Sequence, residues 1–359
     1  MGYAVTVTTT VDEAAAVDRV LEEFLDDKAH ELREVDPALH ALATTACEAV
    51  LGGGKRLRPT FAYWGWRGVV GPAEPVAPVL PAMAAFELLH AFALVHDDVM
   101  DDSPTRRGRP SAHVALTDWH SRRGLAGDAA GFGRSAAILV GDLCLVWADE
   151  LIASAGLPGH VVLGARRVYD RTRVDAIAGQ FLDLVGEASR EWSLDRAELV
   201  ARLKTACYTV AGPLLFGAEL AEYADPTVKR AYARYGMAVG EAFQLRDDLL
   251  DAYGDPAVTG KPAGADLRRG KPTPLLELAR AMADGRQRAE LERELGRGPD
   301  AEPARLARLV RWTGAADRVE EMIATRVAEA RAALAVAPVD PYGRHALDRL
   351  ARVATSRVA

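Results

Sequence analysis

The chain has 359 residues and contains no asparagine; only six residues are lysine, at positions 28, 55, 204, 229, 261 and 271. Its three cysteines, Cys47, Cys144 and Cys207, lie far apart. No pair has metal-ligand or redox spacing, and an odd number argues against a disulfide framework, so a reducing, cytoplasmic setting is expected. Long hydrophobic runs are also missing. The most apolar stretch, Val76 to Val95, is interrupted by Pro78, Pro81, Glu87 and His90, which predicts a buried helix and no membrane span. The opening MGYAVTVTTTVDEAAA lacks both a basic start and a long apolar core. It does not read as a signal peptide, and residues 1–10 are expected to form a flexible tail. A net charge of −7 excludes a broad basic face for nucleic acid.

What is present is the composition of a folded protein: 49% hydrophobic and 26% charged residues, too apolar for a disordered chain. Apolar residues recur at three- and four-residue spacing over 11–34, 38–51, 82–102, 136–155, 159–178, 195–207, 228–252, 274–283, 303–312, 314–335 and 344–357. Punctuation falls between these stretches, at Gly52-Gly53-Gly54, GPAEPVAP (71–78), SPTRRGRP (103–110), GLAGDAAGFG (124–133), GDPAVTGKPAG (254–264) and GRGPD (296–300). No run of alternating strands, internal repeat or Pro/Ser-rich linker stands out. The expected fold is all-α: a single helical domain over residues 1–359, with some helices apolar nearly all round and therefore central.

The helix beginning near Ala82 ends in LVHDDVMDDSPTRRGRP, which puts Asp97, Asp98, Asp101 and Asp102 within six residues. Asp97 and Asp101 lie one turn apart on one face, and Asp98 and Asp102 form a second such pair. Like charges at that spacing destabilise a helix, and the C-terminal end of the macrodipole disfavours anions further. A divalent cation relieves both penalties, and carboxylate-only ligands suit a hard ion such as Mg²⁺. A calcium-binding loop starting at Asp97 fails, because its twelfth position is Gly108 rather than glutamate. The pattern recurs in EAFQLRDDLLDAYGD as Asp247, Asp248 and Asp251, again near the end of an apolar helix. Two such motifs suit two helices facing across a cavity.

Magnesium held by few carboxylates usually completes its shell with substrate phosphates. Cations do accompany the clusters. Arg106 and Arg107 follow the first; GGGKRLRP supplies Lys55, Arg56 and Arg58; Lys261 and Lys271 follow the second; and Lys204 and Thr205 sit in ARLKTACYTVAG. The Gly-rich GGGKRLRP is not a phosphate-binding P-loop, since G-x-x-x-x-G-K-[ST] is absent. His90 lies two turns before Asp97 on the same face, where core packing and substrate contact are about equally plausible readings.

GGGKRLRP, HDDVMDD with SPTRRGRP, VGDLCL, GQFLDL, KTACYT, FQLRDDLLD and GKPAGADLRRGKPTP occur in this order. Together they resemble the all-trans isoprenyl diphosphate synthases, or polyprenyl synthetases, of the geranylgeranyl type. The resemblance implies an isoprenoid-synthase helical bundle around a central active-site cavity, and a homodimer. It also implies Mg²⁺-dependent condensation of isopentenyl diphosphate with an allylic diphosphate (dimethylallyl, geranyl or farnesyl), using several metal ions per site. By position, Asp97, Asp98, Asp101, Asp247, Asp248 and Asp251 match the metal-binding aspartates. Lys55, Arg58, His90 and Arg107 match positions that hold isopentenyl diphosphate. Arg106, Lys204, Thr205, Gln244, Lys261 and Lys271 match positions around the allylic diphosphate. Residues 117–134 resemble an insertion relative to compact members.

Phe92 and Ala93 fall where the family sets chain length: an aromatic floor followed by a small residue resembles the twenty-carbon, geranylgeranyl-forming synthases. A farnesyl or longer-chain synthase is the alternative. A terpene cyclase of the same helical class needs an asparagine in its second metal motif, and this chain has none. A non-catalytic synthase subunit tends to lose motif aspartates, and both sets are kept here.

Overall fold

The computed structural model describes residues 13–189, 193–254 and 263–355. The tail expected over residues 1–10 lies outside them. Among the described residues the chain is helical apart from a two-stranded hairpin, as the sequence predicts. It divides into two compact units, one comprising residues 1–63 and 75–162, the other residues 64–74 and 163–359.

The first unit contains α1 (Glu13–Val35), α2 (Leu39–Leu51), the start of α3 (Leu57–Val70), α4 (Leu80–Met100), α5 (Ala112–Arg122) and α6 (Ala129–Ala153). Helix α4 is its centre. Residues 82–89 are all buried, on every side of the helix, and α1, α2, α5 and α6 pack around it. Proline within its first turn sets the start, where the missing N–H is no loss. Buried Glu87 is held by buried Arg56, whose Nη1 donates to Glu87 Oε2 at 2.8 Å and to the Val50 carbonyl at 3.0 Å, while its Nε donates to Asp18 at 2.7 Å. Arg56 thus ties α1, α2 and α4 together.

In the second unit α7 (Gly159–Ser189) leads to α8 (Leu194–Val200), a π-helix (Ala201–Ala211), α9 (Gly212–Leu220) and α10 (Pro226–Tyr253). Then follow α11 (Ala265–Arg269), α12 (Pro274–Met282), α13 (Gly285–Leu295), α14 (Pro303–Trp312), α15 (Ala315–Ala335) and α16 (Pro341–Thr355). Helix α10 is central and packs against the π-helix and α15. Its contact with the π-helix depends on two glycines one turn apart. A Cβ on Gly236 would lie 2.4 Å from Ala211 Cα, and one on Gly240 2.3 Å from Ala206 Cα, so the backbones touch where no side chain fits.

The periodicity misses α3, α5, α9, α11 and α13. In α3 residues 61–68 are all buried, so no polar face marks the period, and Gly65 and Gly68 lower its helix propensity. The Gly-rich stretch 124–133 is a turn only to Asp128, which caps α6 by accepting from the Ala130 N–H at 3.0 Å. Gly133 is helical; a Cβ there would lie 2.4 Å from the His113 carbonyl oxygen of α5, so its glycine serves helix packing. Much of the 117–134 segment is therefore the end of α5 and the beginning of α6.

Removing Arg56 takes from buried Glu87 the guanidinium that holds it, which costs about 3–5 kcal/mol. Arg56→Ala is expected to lower the free energy of unfolding by about that much, read from the shift in midpoint on chemical unfolding.

Candidate functional site

In the first unit, α4 carries Asp97 and Asp98 to its C-terminal end, and the Asp101 N–H closes the last turn on the Asp97 carbonyl at 2.8 Å. Asp102 turns away in left-handed backbone (φ 47°) and is exposed. The chain then forms the hairpin β1 (Thr105–Arg106) and β2 (Arg109–Pro110). Arg107 and Gly108 at its tip both have positive φ, 52° and 74°, as a primed two-residue turn demands. This turn folds Arg106 back onto Asp98. Arg106 Nε donates to Asp98 Oδ1 and Oδ2 at 3.0 and 3.2 Å, Nη2 donates to Oδ1 as well, and Nη2 lies 3.5 Å from Asp97 Oδ2.

Asp98 is buried, and burial pushes its carboxyl above the usual range while Arg106 opposes the rise. The three aspartates expected as equivalent metal ligands thus differ. Asp98 is gripped by Arg106, whereas Asp97 and Asp101 are half-buried and one turn apart.

Arg107 donates to the Gly53 carbonyl and lies beside Gly54, where a Cβ would stand 3.1 Å from its Nη2. The glycine run therefore makes room for Arg107. Lys55 is exposed and Arg58 half-buried. His90 titrates well below the usual histidine value, first because of burial and then because the charges of Arg58, Arg107, Arg106 and Arg56 bear on it. Near neutral pH it is a neutral imidazole in a field of guanidinium groups. Arg56 belongs to this field but is engaged by Glu87 and Asp18.

In the second unit the π-helix presents Lys204 and Thr205 to α10. Thr205 Oγ1 donates to Gln244 Oε1 at 2.6 Å, and Gln244 Nε2 donates to Asp248 Oδ1 at 2.8 Å. Asp248 is buried and its Oδ2 has no hydrogen-bond partner. Burial, only partly offset by the Gln244 hydrogen bond, pushes its carboxyl well above the usual range. One turn on, Asp251 Oδ2 accepts from the Asp266 N–H at 3.1 Å at the first turn of α11. A cavity of about 100 Å³ is lined by Lys204, Thr205, Gln244, Asp248, Asp266 and Lys271. Lys261 lies outside the described residues.

The sequence motif GQFLDL hides a residue to which no role was given, Asp183. Gly179 brings α7 against the π-helix, where a Cβ would lie 2.5 Å from the Lys204 backbone nitrogen. One turn later Asp183 Oδ2 accepts from Lys204 Nζ and stands 2.8 Å from Lys271 Nζ. Burial raises the Asp183 pKa, yet Lys271 and Lys204 hold it below the usual aspartate value. Lys271 in turn is held above the usual lysine value: burial works against its charge and Asp183 outweighs it. A glycine and an acid one turn apart before a lysine-bearing segment is the only sequence signal that pointed here.

The donors suit magnesium. They are hard carboxylate oxygens, and Asp248 Oδ2 is a buried oxygen in need of a proton or a cation. Among the described residues no three His, Cys, Asp or Glu side chains converge into a closed cage. Open carboxylates fit an ion that keeps water and substrate phosphates in its shell.

The polyprenyl synthetase family model matches residues 40–311. The chain is 33% identical to the geranylfarnesyl diphosphate synthase of Aeropyrum pernix over 88% of its length and 94% of that enzyme. It is likewise 33% identical to the nonaprenyl diphosphate synthase of Mycobacterium tuberculosis, over 96% and 92% of the two chains. The fold is similar to that of a geranylgeranyl pyrophosphate synthase from Corynebacterium glutamicum solved with isoprenyl diphosphate and magnesium. There the TM-score is 0.91 at 37% identity, covering 96% of this chain and 98% of the other. The chain belongs to the polyprenyl synthetase family and is a trans-prenyltransferase of the isoprenyl diphosphate synthases.

Two outcomes are expected. Asp248→Asn removes a disfavoured buried charge, so its melting temperature in metal-free buffer should match or exceed that of the wild type while turnover falls by orders of magnitude; calorimetry and a radiolabel assay check both. Asp183 has a depressed pKa, so its pairing stabilises the fold fully above the unfolded value near 3.8 and loses that contribution as pH falls through the lower folded value. Asp183→Asn should therefore cost stability at pH 7 and flatten the acid limb of a melting-temperature profile.

Proposed function

We propose that the enzyme lengthens an allylic diphosphate by head-to-tail addition of isopentenyl diphosphate and releases geranylgeranyl diphosphate. The observation that carries the reading is the cluster of half-buried Lys204, Lys271, Thr205 and Gln244 around buried Asp248, whose orphan carboxylate oxygen suits a bridging cation. Breaking the allylic C–O bond moves negative charge onto the leaving diphosphate. Lys204, Lys271 and Arg106 are assigned to that diphosphate as fixed cations, and the Thr205–Gln244 pair to its oxygens; Lys261, outside the described residues, is assigned to it from its sequence motif alone. Magnesium held by Asp97, Asp98 and Asp101 and by Asp247, Asp248 and Asp251, several ions in all, would supply Lewis-acid stabilisation of the same charge. Asp98 is set apart by its pairing with Arg106, so Asp97 and Asp101 are the principal ligands of the first group.

Lys55, Arg58 and Arg107 are assigned to the diphosphate of isopentenyl diphosphate. His90, kept neutral by burial and by the surrounding arginines, can donate one hydrogen bond to it without adding charge. The allylic cation must meet the isopentenyl double bond and not water, which calls for apolar walls. The proton that leaves afterwards has the released diphosphate as its acceptor.

Neither compact unit alone carries both acidic clusters, so the two are proposed to act as one catalytic domain. A homodimer is supported by exposed apolar side chains: Ile138, Leu139 and Val146 on α6, and Val174, Ile177 and Phe181 on α7. Among the described residues no helix is long and apolar enough to cross a membrane. The free thiols of Cys47, Cys144 and Cys207 suit a reducing cytoplasm.

The twenty-carbon product rests on Phe92, half-buried on α4 beside Ala93. Incubation with labelled isopentenyl diphosphate, farnesyl diphosphate and Mg²⁺ should give one twenty-carbon diphosphate on chromatography. A cyclic hydrocarbon, or no product, refutes the assignment. Asp97→Ala and Asp247→Ala should each cut kcat by orders of magnitude, since stabilising the leaving group contributes several kcal/mol.

A further inference from the structure

The VGDLCL motif has no part in the reading so far, and the structure shows what its glycine permits. Gly141 lies in α6 where that helix packs against α4. A Cβ there would stand 2.3 Å from both Cδ2 and Nε2 of His96. Because residue 141 has no side chain, the edge of the His96 imidazole can come close to the α6 backbone. Its Nε2 is 3.0 Å from the Ile138 carbonyl. A carbonyl only accepts, so this bond fixes the proton on Nε2. The next residue, Asp142, places Oδ1 3.7 Å from the same nitrogen. On the other side the ring meets Phe92 edge-on, with centroids 4.7 Å apart and planes at 63°.

Phe92 and His96 are four residues apart on α4 and therefore stack along one face. The contacts form a chain: α6 backbone at Gly141, His96 imidazole, Phe92 ring. Edge-to-face contacts of this kind favour one ring orientation over its alternatives. An aromatic floor works only if its ring stays in place when a growing apolar tail presses on it, and nothing in Phe92 itself prevents it from changing rotamer.

We propose that Gly141 and His96 are positioning residues for product length: clearance over Gly141 seats His96 on α6, and seated His96 locks the Phe92 ring across the path of the prenyl tail. The inference rests on the reading of Phe92 as the floor. Gly141 touches no substrate; it acts through His96, and His96 acts through Phe92.

The test compares product lengths made by Phe92→Ala, His96→Ala, Gly141→Ala and the double variant Gly141→Ala with Phe92→Ala, each checked for a cooperative melt. Purified enzyme is incubated with farnesyl diphosphate, labelled isopentenyl diphosphate and Mg²⁺. Phe92→Ala should give products at least one five-carbon unit longer than the wild type. His96→Ala and Gly141→Ala should each add a longer-chain fraction, and the double variant should match Phe92→Ala alone, because nothing remains to position. Loss of packing alone would lower the melting temperature without changing the ratio of products.

Should Phe92→Ala lengthen the product while both His96→Ala and Gly141→Ala keep the wild-type ratio, the positioning role is overturned and the floor stands. An unchanged ratio in Phe92→Ala overturns the floor itself. A double variant whose product is longer than that of Phe92→Ala also overturns the inference, because Gly141 would then act on the tail by another route.

Discussion

Two lysines can share a small cavity only if an acid holds them, and Asp183 does so here. Two unit charges about 4 Å apart repel by about 4 kcal/mol at an effective dielectric of 20. Asp183 Oδ2 stands 2.8 Å from each ammonium group and holds the two half-buried lysines together. The remaining polar groups follow from that arrangement. Thr205 follows Lys204 on the π-helix and reaches Gln244, which reaches Asp248. The cluster is cationic on one side and ends in an unpartnered carboxylate oxygen on the other, the pattern a metal-bridged diphosphate complements.

The first unit solves a related problem with arginine. Four guanidinium groups bear on His90, and three of them answer to different structural demands. Arg56 is fixed by Glu87 and Asp18 and Arg106 by Asp98, while Arg107 is fixed by a glycine carbonyl. Planar guanidinium groups can keep such bonds while still presenting N–H donors elsewhere. Placing Asp98 under Arg106 also explains why four aspartates at one helix end do not unwind it. Arg106 also reaches Asp97, and Asp102 leaves the helix in left-handed backbone.

Much of this was legible in the sequence. The two acidic clusters stood out because each sets like charges side by side at an unfavourable place, and α4 and α10 were visible from their apolar periodicity. Helix α3 was not, because it is short, buried throughout residues 61–68, and carries Gly65 and Gly68, which lower its helix propensity. The Asp183 role was hidden because a single aspartate in a long helix carries no pattern; its meaning arises only when Gly179 lets α7 approach the π-helix. The difference between Asp98 and Asp97 was likewise invisible, since it depends on a tight turn eight residues later that folds Arg106 back. Periodicity finds elements, but glycine-governed close approach decides which side chains meet.

The π-helix adds one consequence. An α-helix advances about 100° per residue, so one residue more or fewer rotates everything beyond it by over a quarter turn. Lys204 and Thr205 stand inside a stretch wound more loosely than that, while Ala206 and Ala211 on the same stretch are keyed to the glycines of α10. The loose winding therefore acts as a phase adjuster: the segment can meet α10 with its small residues and still aim a lysine and a hydroxyl at the cavity. On a regular helix, residues five apart point about 140° from one another, so Ala206 and Ala211 would not share the face that meets those glycines.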